Sequence, residues 1–426
     1  MILAAVDPAR EAELRALLDS MNTAPGRVHP ENAVIPFARL NQLHFSRLVL
    51  LDDKTTEDVR AYGLEPQTYP LYLAFLGDID GNVDEFLREL ARVAPDGLRA
   101  LFSCCRGFTT NVDLVRWMKL HRAPAIANYV NWRGRTVQRV HEEAALRDAI
   151  EEFVERDEET LRNRPPTEVH TAVRHFVQTE KSAGRLRLSP EKSTPLRWRI
   201  RNVLHLLAFP FVVLLFWPLL IVLAPFYLLL LRRAEKTDPE ICPRADQNHS
   251  DFLARSEDHY VTNQFTAMGS LKPGWLRLLT VIGVLTLVNW GARHIFTRGR
   301  LARIRTIHFA RWVFLDGRRR MVFFSNYDGT VESYMDDFIN KTGFGLNASF
   351  SNGIGYPRTN WLVLDGCGEE EKYKHYLRRH TLPTQVWYKA YPGLTAIDLE
   401  RNGRIRAGVE KSSMTQQEAR EWVALL

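Results

Sequence analysis

Histidine, arginine and aspartate recur in the same order in two distant parts of the chain. Each part has a histidine, an arginine three residues later and an aspartate just before a glycine: His44, Arg47 and Asp80, then His308, Arg311 and Asp328. A neutral imidazole can act as a general base, and an arginine can pair with a carboxylate. We therefore take these residues as catalytic candidates. The alternative is that both histidines satisfy backbone groups at the start of a strand, because a need of folding would appear in both parts.

Positions at which the two parts differ indicate a site that belongs to one of them. The first part has Gly77-Asp78-Ile79 where the second has Ser325-Asn326-Tyr327. Asn326 or Tyr327 beside His308 could support a reaction without a cofactor, which needs only a base near a substrate proton. We therefore add Asn326 to the catalytic candidates.

An aromatic and polar segment near the end of the second part is a candidate ligand wall. It contains Gln385, Trp387, Tyr388, Lys389 and Tyr391. Small-molecule sites combine aromatic surface with a few polar groups in this way. Trp387 and Tyr388 are therefore candidate binding residues, and aromatic core packing is the alternative.

The candidates belong to a longer internal duplication. Four blocks recur in the same order: HFSRLVLLDD from His44 and HFARWVFLDG from His308, FLGDIDG from Phe75 and FFSNYDG from Phe323, GLRALFSCCRGF from Gly97 and GLNASFSNGIGY from Gly345, and LHRAPAIANYVNW from Leu120 and RHTLPTQVWYKAY from Arg379. Chance explains four ordered matches poorly. We therefore predict two copies of one module.

Each copy predicts the order strand, strand, helix, strand, helix, strand. A β-rich run ends in aspartate, and a second run reaches the turn signals Asp80-Gly81 or Asp328-Gly329. Apolar residues from Val83 to Leu90 then follow a helical period. This order is close to that of a split βαβ module. Two ferredoxin-like modules in one chain can set their sheets face to face and enclose a cavity.

Alternation along the first strand predicts which side chains face that cavity. His308, Ala310, Trp312 and Phe314 share one face, and Arg311 lies on the other, more apolar face. We expect the more apolar face to pack on the helices. The histidine face then lines the interior, with Arg47 and Arg311 on the helix side unless a bulge turns them inward.

A long apolar segment between the copies predicts attachment to a membrane. Residues 203–231 contain no charged side chain, and about 20 apolar residues already span a bilayer core. Pro210, Pro218 and Pro225 interrupt the segment, and each proline kinks or breaks a helix. Arginines flank it on both sides, which favours a segment that enters and returns. A buried core helix is the alternative.

A second apolar stretch, 278–290, is short for a crossing and suits an interfacial or re-entrant helix. If both copies form one body, the number of crossings between them is zero or even. A re-entrant hairpin and a pair of crossings both satisfy this condition. The sequence does not decide between them.

Composition narrows the setting of the protein. The 426 residues carry a formal net charge of +7, and the excess arginines lie beside the apolar segments, as expected for anionic lipid headgroups. No basic and aromatic motif of a nucleic-acid-binding module is present, so nucleic acid is not an expected partner. Four scattered cysteines and the absence of a signal peptide predict a reducing location, at the cytoplasmic face of the inner membrane.

The tandem modules resemble the dimeric α/β barrel superfamily, which includes dye-decolourising peroxidases and chlorite dismutases. The resemblance covers residues 35–140 and 303–410, and GDIDG at Gly77–Gly81 matches the GxxDG pattern of those peroxidases. It implies an α+β fold with an intrachain barrel and a haem. His308 is then the axial ligand, with Asp80 or Asp328 and Arg311 on the distal side. His380 and His121 compete for the ligand role. The blocks HFARWVFLDG and SNYDG also look like those of a bacterial protein group, and this second resemblance does not imply a particular activity.

These observations predict six segments: a helical extension (1–34), a first module (35–140), a helical linker (141–200), a membrane-associated insert (201–302), a second module (303–410) and a terminal helix (411–426). The first functional hypothesis is a membrane-attached, haem-peroxidase-like oxidoreductase acting on a lipophilic substrate. The second is a non-catalytic or cofactor-free barrel that binds a lipid or isoprenoid. Whether the protein is an enzyme and how many copies associate stay open.

Overall fold

The computed structural model describes residues 1–24, 26–191 and 193–426 as a mixed α+β protein, which confirms the predicted fold class. The chain divides into two compact units. One comprises Met1–Arg133 and Pro195–Pro392 and holds the strands of the described residues. The other comprises Gly134–Thr194 and Gly393–Leu426 and is helical.

The strands are, in chain order, β1 (Ile2–Ala5), β2 (Asn22–Ala24), β3 (Arg27–Val28), β4 (Leu43–Leu51), β5 (Tyr72–Ile79), β6 (Ala127–Val130), β7 (Thr262–Ser270), β8 (Ile307–Leu315), β9 (Arg320–Asp328), β10 (Thr359–Asn360), β11 (Leu364–Asp365) and β12 (Val386–Lys389).

The strand-containing unit begins with the helices α1 (Glu11–Ser20), α2 (Thr56–Ala61), α3 (Val83–Val93), α4 (Pro95–Ser103) and α5 (Leu114–Leu120). The helical unit follows with α6 (Val137–Arg156), α7 (Glu158–Leu161) and α8 (Pro166–Ser182). The strand-containing unit then continues with α9 (Leu196–Thr237), α10 (Gln247–Ala254), α11 (Trp275–His294), α12 (Val331–Phe350) and α13 (Glu370–His380). The helical unit is completed by α14 (Ala396–Glu410) and α15 (Gln416–Val423) around a core that includes Leu146, Val173 and Ile405.

Two antiparallel four-stranded sheets form the centre of the strand-containing unit. Their orders are β1-β5-β4-β12 and β6-β8-β9-β7. β12 follows the second copy of the duplication but pairs with β4 of the first, while β6 follows the first copy but pairs with β8 of the second. Each sheet therefore takes one edge strand from the other repeated part of the sequence, an arrangement that we call the exchange of last strands.

The sheets do not form the single closed barrel that the sequence predicts. They meet at two corners, where isolated bridges join Ile2 to Arg122 and Ala267 to Thr381. Pro124 and Pro383 each follow a bridge by two residues. Proline has no N–H to donate, so the ladder stops there, and the chain continues into the other sheet.

The inner faces of the sheets pack on each other through an apolar core. Val49 and Leu51 of β4 contribute to it, as does Val313 of β8. The same alternation turns Arg47 and Arg311 inward, so the predicted assignment of faces is wrong. Every residue of β4 is buried, because helices cover one face and the second sheet the other. Apolar character therefore does not distinguish the two faces.

The predicted element order is also corrected in both copies. The blocks from Gly97 and Gly345 are helical, in α4 and α12, where a third strand is predicted. The missing strand lies earlier, as β1 and β7, inside the segments predicted as an extension and a membrane insert. The helix predicted from Val83 is present as α3.

The apolar segment 203–231 lies within α9, one continuous helix of 42 residues despite its three prolines. At 1.5 Å per residue this helix is about 63 Å long. Only Leu231 and Glu235 of α9 are buried. Both α9 and α11 are long and apolar enough to cross a membrane.

The helix α11 lies antiparallel along α9. His205 Nδ1 is 2.8 Å from His294 Nε2 near the start of α9, and Tyr227 Oη is 2.5 Å from Thr280 Oγ1 near its end. On its other side α11 packs on the second sheet, where Val281 and Leu285 join the core. The second apolar stretch is thus part of a sheet-covering helix.

Buried carboxylates fix the end of α9 to the strand-containing unit. Glu235 accepts hydrogen bonds from Thr359 Oγ1 at 2.9 Å and from the backbone N–H groups of Trp361 and Leu362 at 2.9 and 2.7 Å. Asp238 Oδ2 accepts hydrogen bonds from Lys272 Nζ at 2.8 Å and from Arg277 at 2.6 Å. The exposed apolar helix therefore has a rigid base.

Candidate functional site

A β-bulge lies at each repeated histidine. The pairing of β4 with β5 skips His44, and the pairing of β8 with β9 skips His308. The extra residue of a bulge is left unpaired and redirected. As a result His44 Nε2 lies 3.0 Å from Asp80 Oδ1, and His308 Nε2 lies 2.7 Å from Asp328 Oδ1.

Both His–Asp pairs lie inside the protein. His44 also hydrogen-bonds Tyr391 Oη at 2.9 Å, and the His308 ring packs edge-on against Phe45. Neither histidine is among the residues that line the four cavities described for this structure. The same pair in both copies favours the alternative that these histidines serve the fold.

The Arg47 guanidinium is fully enclosed between the sheets. It donates hydrogen bonds to the carbonyl oxygens of Phe265 at 2.9 Å and Ser325 at 2.8 Å, and to the Asn326 side chain. The Trp387 ring covers it, with the guanidinium carbon 5.1 Å from the ring centroid. Burial, with a further contribution from the charge of Arg311, lowers the pKa of Arg47 to about 9 against the opposing effect of Asp78.

The equivalent Arg311 has a different environment. Its guanidinium donates to Asp78, whose other carboxylate oxygen accepts a hydrogen bond from Asn326 Nδ2 at 2.9 Å. Arg47, Asn326, Asp78 and Arg311 thus form one chain of polar contacts between the sheets. Only its Arg311 end reaches a cavity.

That cavity has a volume of about 650 Å³ and is lined by Arg311 and Asp78. Its volume lies within the roughly 300–1,000 Å³ typical of small-molecule sites. Phe75, Phe86 and Phe309 contribute the aromatic part of its wall, and Lys119 and Arg122 contribute a polar part. A wall of this mixed kind can hold a lipophilic molecule with a polar end.

The residue opposite each arginine explains why one side is open. Asn128 of β6 pairs with Arg311, and Trp387 of β12 pairs with Arg47. The indole is 2% exposed and stacks on Phe45, so it occupies the space that stays open beside Asn128. In addition, β7 covers nine residues of β9, whereas β1 covers four of β5.

The predicted ligand wall is divided between two faces of β12. Trp387 faces inward, and Tyr388 faces outward, where it stacks on Phe37 at 5.0 Å. Lys389 Nζ lies 3.0 Å from the Tyr260 ring centroid, and burial together with the charge of Arg27 lowers the pKa of Lys389 to about 7. These residues therefore serve packing rather than one shared cavity.

The histidines do not fit the implied haem. Nε2 of His308, the atom that would bind iron, lies within hydrogen-bond distance of the Asp328 carboxylate. The whole His308 residue is only 1% exposed. His380 lines a cavity of only about 40 Å³, and burial lowers its pKa. His121 packs on Trp117, with Nδ1 2.9 Å from that residue's carbonyl oxygen. Haem stays a prediction, and no step is derived through it.

The sequence did not identify Asn128 or the role of Asp78. Asp78 was noticed only as a difference between the copies, and Asn128 only as part of the fourth repeated block. The fourth repeated block aligns Asn128 with Trp387, and in the structure each of these residues pairs with one of the two arginines. The contrast between them could be predicted if those strand pairs were known. Those pairs depend on the exchange of last strands, which pairs each last strand with the other copy.

Comparison with protein-family models, with curated proteins and with solved structures finds no match to this chain.

Proposed function

We propose that this protein binds a lipophilic molecule in the cavity beside Arg311 and Asp78 while α9 attaches it to a membrane. The observation that carries the proposal is the cavity, in which aromatic and aliphatic side chains lie around the enclosed ion pair of Arg311 and Asp78. The same unit carries a long helix with an apolar, exposed surface, which is a route for a ligand that prefers lipid to water. This is the non-catalytic or cofactor-free hypothesis for a lipid or isoprenoid.

The proposed attachment is monotopic, with neither apolar helix crossing the bilayer. In the chain, α9 lies between β6 and β7, and α11 lies between β7 and β8. These three strands belong to one hydrogen-bonded sheet. A crossing by either helix would place strands of that sheet on opposite sides, which also argues against a pair of crossings. Because α9 is one continuous helix, it does not turn back inside the bilayer. If it does not cross either, it lies along the membrane surface.

The arginines at both ends of α9 support the cytoplasmic face. Arg199 and Arg201 precede the apolar segment, and Arg232 and Arg233 follow it. Anionic lipids of the inner leaflet attract such residues by about 1 kcal/mol each. With both flanks on one side, the whole strand-containing unit would lie on the cytoplasmic side of the inner membrane.

For the architecture we propose two ferredoxin-like modules that exchange their last strands, related to a dimeric α/β barrel but open at the two proline corners. The support is the matching order of each copy: strand, helix, two strands, helices and a last strand. The exchange brings Arg47 and Arg311 of the two copies into one polar cluster. Cavity and cluster are then products of the duplication.

Native mass spectrometry tests the function on the full-length chain, released from membranes in a detergent of known mass. We expect a bound lipophile distinct from the detergent. Asn128→Trp places an indole where the second copy has one, so this variant should fold and lose the ligand. Ligand retained in Asn128→Trp, or no ligand in the natural protein after lipid is added, would contradict the proposal.

An absorption spectrum after haem supplementation tests the competing oxidoreductase hypothesis. A Soret band that is lost in His308→Ala would favour haem bound through His308. The contacts of His308 with Asp328 and Phe45 lead us to expect no such band. The two measurements are independent, because the lipophile cavity contains no histidine among the described residues.

A further inference from the structure

The polar cluster between the sheets has one more positive than negative charge. Arg47 and Arg311 occupy equivalent positions in the two copies, but Asn326 stands where the first copy has Asp78. Arg47 donates a hydrogen bond to the side-chain oxygen of Asn326, and the amide nitrogen of Asn326 donates one to Asp78. The two guanidinium groups of the cluster therefore share the carboxylate of Asp78. A buried charge without a matching partner is unfavourable. The cluster therefore lacks one anion.

We propose that the ligand is a single-chain amphiphile with one acidic head group, which supplies this missing negative charge at Arg311. The inference rests on the proposed function, because it names the class of lipophile that the cavity takes. The head group is a carboxylate or a phosphate, since both accept paired hydrogen bonds from the arginine fork. The apolar chain lies against the aromatic wall.

Arg311 has donors to spare for such a head group. Its side chain is 14% exposed, on the cavity side. Its hydrogen bonds within the described part of the chain run from one terminal nitrogen to Asp78 and, at 3.5 Å, to the carbonyl oxygen of Gly77. The remaining guanidinium N–H groups are available to a ligand.

The other cations of the cavity are weaker candidates for the head group. Lys119 and Arg122 are 39% and 47% exposed in their side chains. Both already lie 3.3 Å from the Asp84 carboxylate. Exposed pairs of this kind contribute little because water screens them. The enclosed Arg311 is therefore the specificity-determining cation.

Photoreactive palmitic acid and photoreactive hexadecanol test the head group on the full-length protein in a non-ionic detergent. The crosslinked fraction is read from the intact mass at increasing probe concentration. We expect half-saturation by the acid at about tenfold lower concentration than by the alcohol, the effect of one charged hydrogen bond. Competition by oleate or by lysophosphatidic acid then identifies a carboxylate or a phosphate as the better head group.

Three variants test the charge balance of the cluster. Arg311→Met should remove the preference for the acid, and Asn326→Asp should weaken it by supplying the missing carboxylate within the protein. Asp78→Asn should strengthen it and replaces Asn326→Asp as the test if that variant does not fold. Arg92→Met removes an exposed arginine outside the cavity and should change nothing.

Equal labelling by acid and alcohol would overturn this inference and leave lipophile binding intact. Labelling by neither probe would overturn the proposed function as well. A folded Asn326→Asp protein with an unchanged preference, or a folded Asp78→Asn protein with a weaker one, would also contradict the inference.

Discussion

Arg47 and Arg311 are the same residue of a repeated module in two different environments. Arg47 is enclosed and shares its hydrogen bonds among backbone carbonyls and Asn326, whereas Arg311 borders a cavity. Removing the Arg47 guanidinium leaves these buried neutral acceptors without a donor, and a buried acceptor left unpaired typically costs about 1–3 kcal/mol. We therefore expect Arg47→Met to lose about this much free energy of unfolding and Arg311→Met to lose less, because water in the cavity can solvate Asp78. Urea unfolding of both variants checks the order, and the reverse order would contradict the description of the cluster.

Trp387 fills the space beside Arg47 that corresponds to the cavity beside Arg311. Trp387→Asn combined with Lys389→Val reproduces Asn128 and Val130 of the open side. We expect a second bound lipophile per chain, with a stability loss of about 3–5 kcal/mol, as for other removals of a buried aromatic side chain. Native mass spectrometry counts the ligands. A stoichiometry that stays at one in the folded double variant would show that more than Trp387 and Lys389 fills that space.

Lys389 gives the protein a pH dependence above neutrality. Its pKa is lowered from the ordinary Lys value to about 7, first by burial, so the unfolded chain holds the proton more tightly than the native state does. Below about pH 7 the buried amine is charged in the native state, and the full cost of burying that charge lowers the free energy of unfolding. Between about pH 7 and about 10.5 this cost falls to zero, so the free energy of unfolding rises with pH.

Lys389→Met should accordingly raise the unfolding temperature more at about pH 6.5 than at about pH 10, two values close to the ends of the titrating range. The charge of Arg27 acts in the same direction as burial. The face of the Tyr260 ring favours the charged amine and opposes both. A stabilisation that grows with pH instead would mean that the aromatic contact dominates.

At the scale of elements, the base of α9 is the most constrained feature. Four donors reach the carboxylate of Glu235, from Thr359, Trp361, Leu362 and Arg232. Glu235→Ala leaves buried N–H groups without an acceptor, so we expect a loss of about 2–4 kcal/mol. Limited proteolysis should then cut near Trp361. The exposed neighbour Lys236→Ala is the control and should behave as the natural protein.

The sequence predicted those elements whose signal is local. The amphipathic period from Val83, the turn at Asp328-Gly329 and the length of the apolar segment all depend on nearby residues, and α3, β9 and α9 are found there. β1 and β7 were missed because they are short or polar strands whose partners lie far along the chain. Pairing with a distant strand leaves no period in the sequence.

The site was less predictable than the elements for a related reason. Arg47, Arg311 and Asn326 were identified, but their faces depended on a strand buried on both sides and on a bulge at His44. Neither feature has a sequence signature here. Asn128 matters because its strand pairs with a strand of the other repeated part, opposite Arg311. That pairing cannot be predicted from either repeated part alone.

At the scale of the whole molecule, the proposed attachment to a membrane depends on the exposed surface of α9. Leu214 and Leu223 are 72% and 49% exposed. A charged side chain in this position costs several kcal/mol in lipid and little in water. We expect Leu214→Glu with Leu223→Glu to shift the protein from the membrane fraction to the supernatant.

Leu120→Glu is the matched control, because Leu120 is 74% exposed on α5 and lies outside the apolar helix. This variant should sediment with membranes as the natural protein does. Equal release of both variants would mean that the attachment does not depend on α9. Retention of both would mean that some other surface holds the protein to the bilayer.

The exchange of last strands also has a consequence for biosynthesis. A ribosome delivers β4 early, yet its neighbour β12 emerges only when nearly the whole chain has been made. Until then, one edge of the nascent first sheet presents unpaired N–H and C=O groups, and the apolar α9 has already left the exit tunnel. An unprotected edge of this kind is a template for aggregation. Synthesis therefore favours early capture of the nascent chain, by a chaperone or by the lipid surface itself.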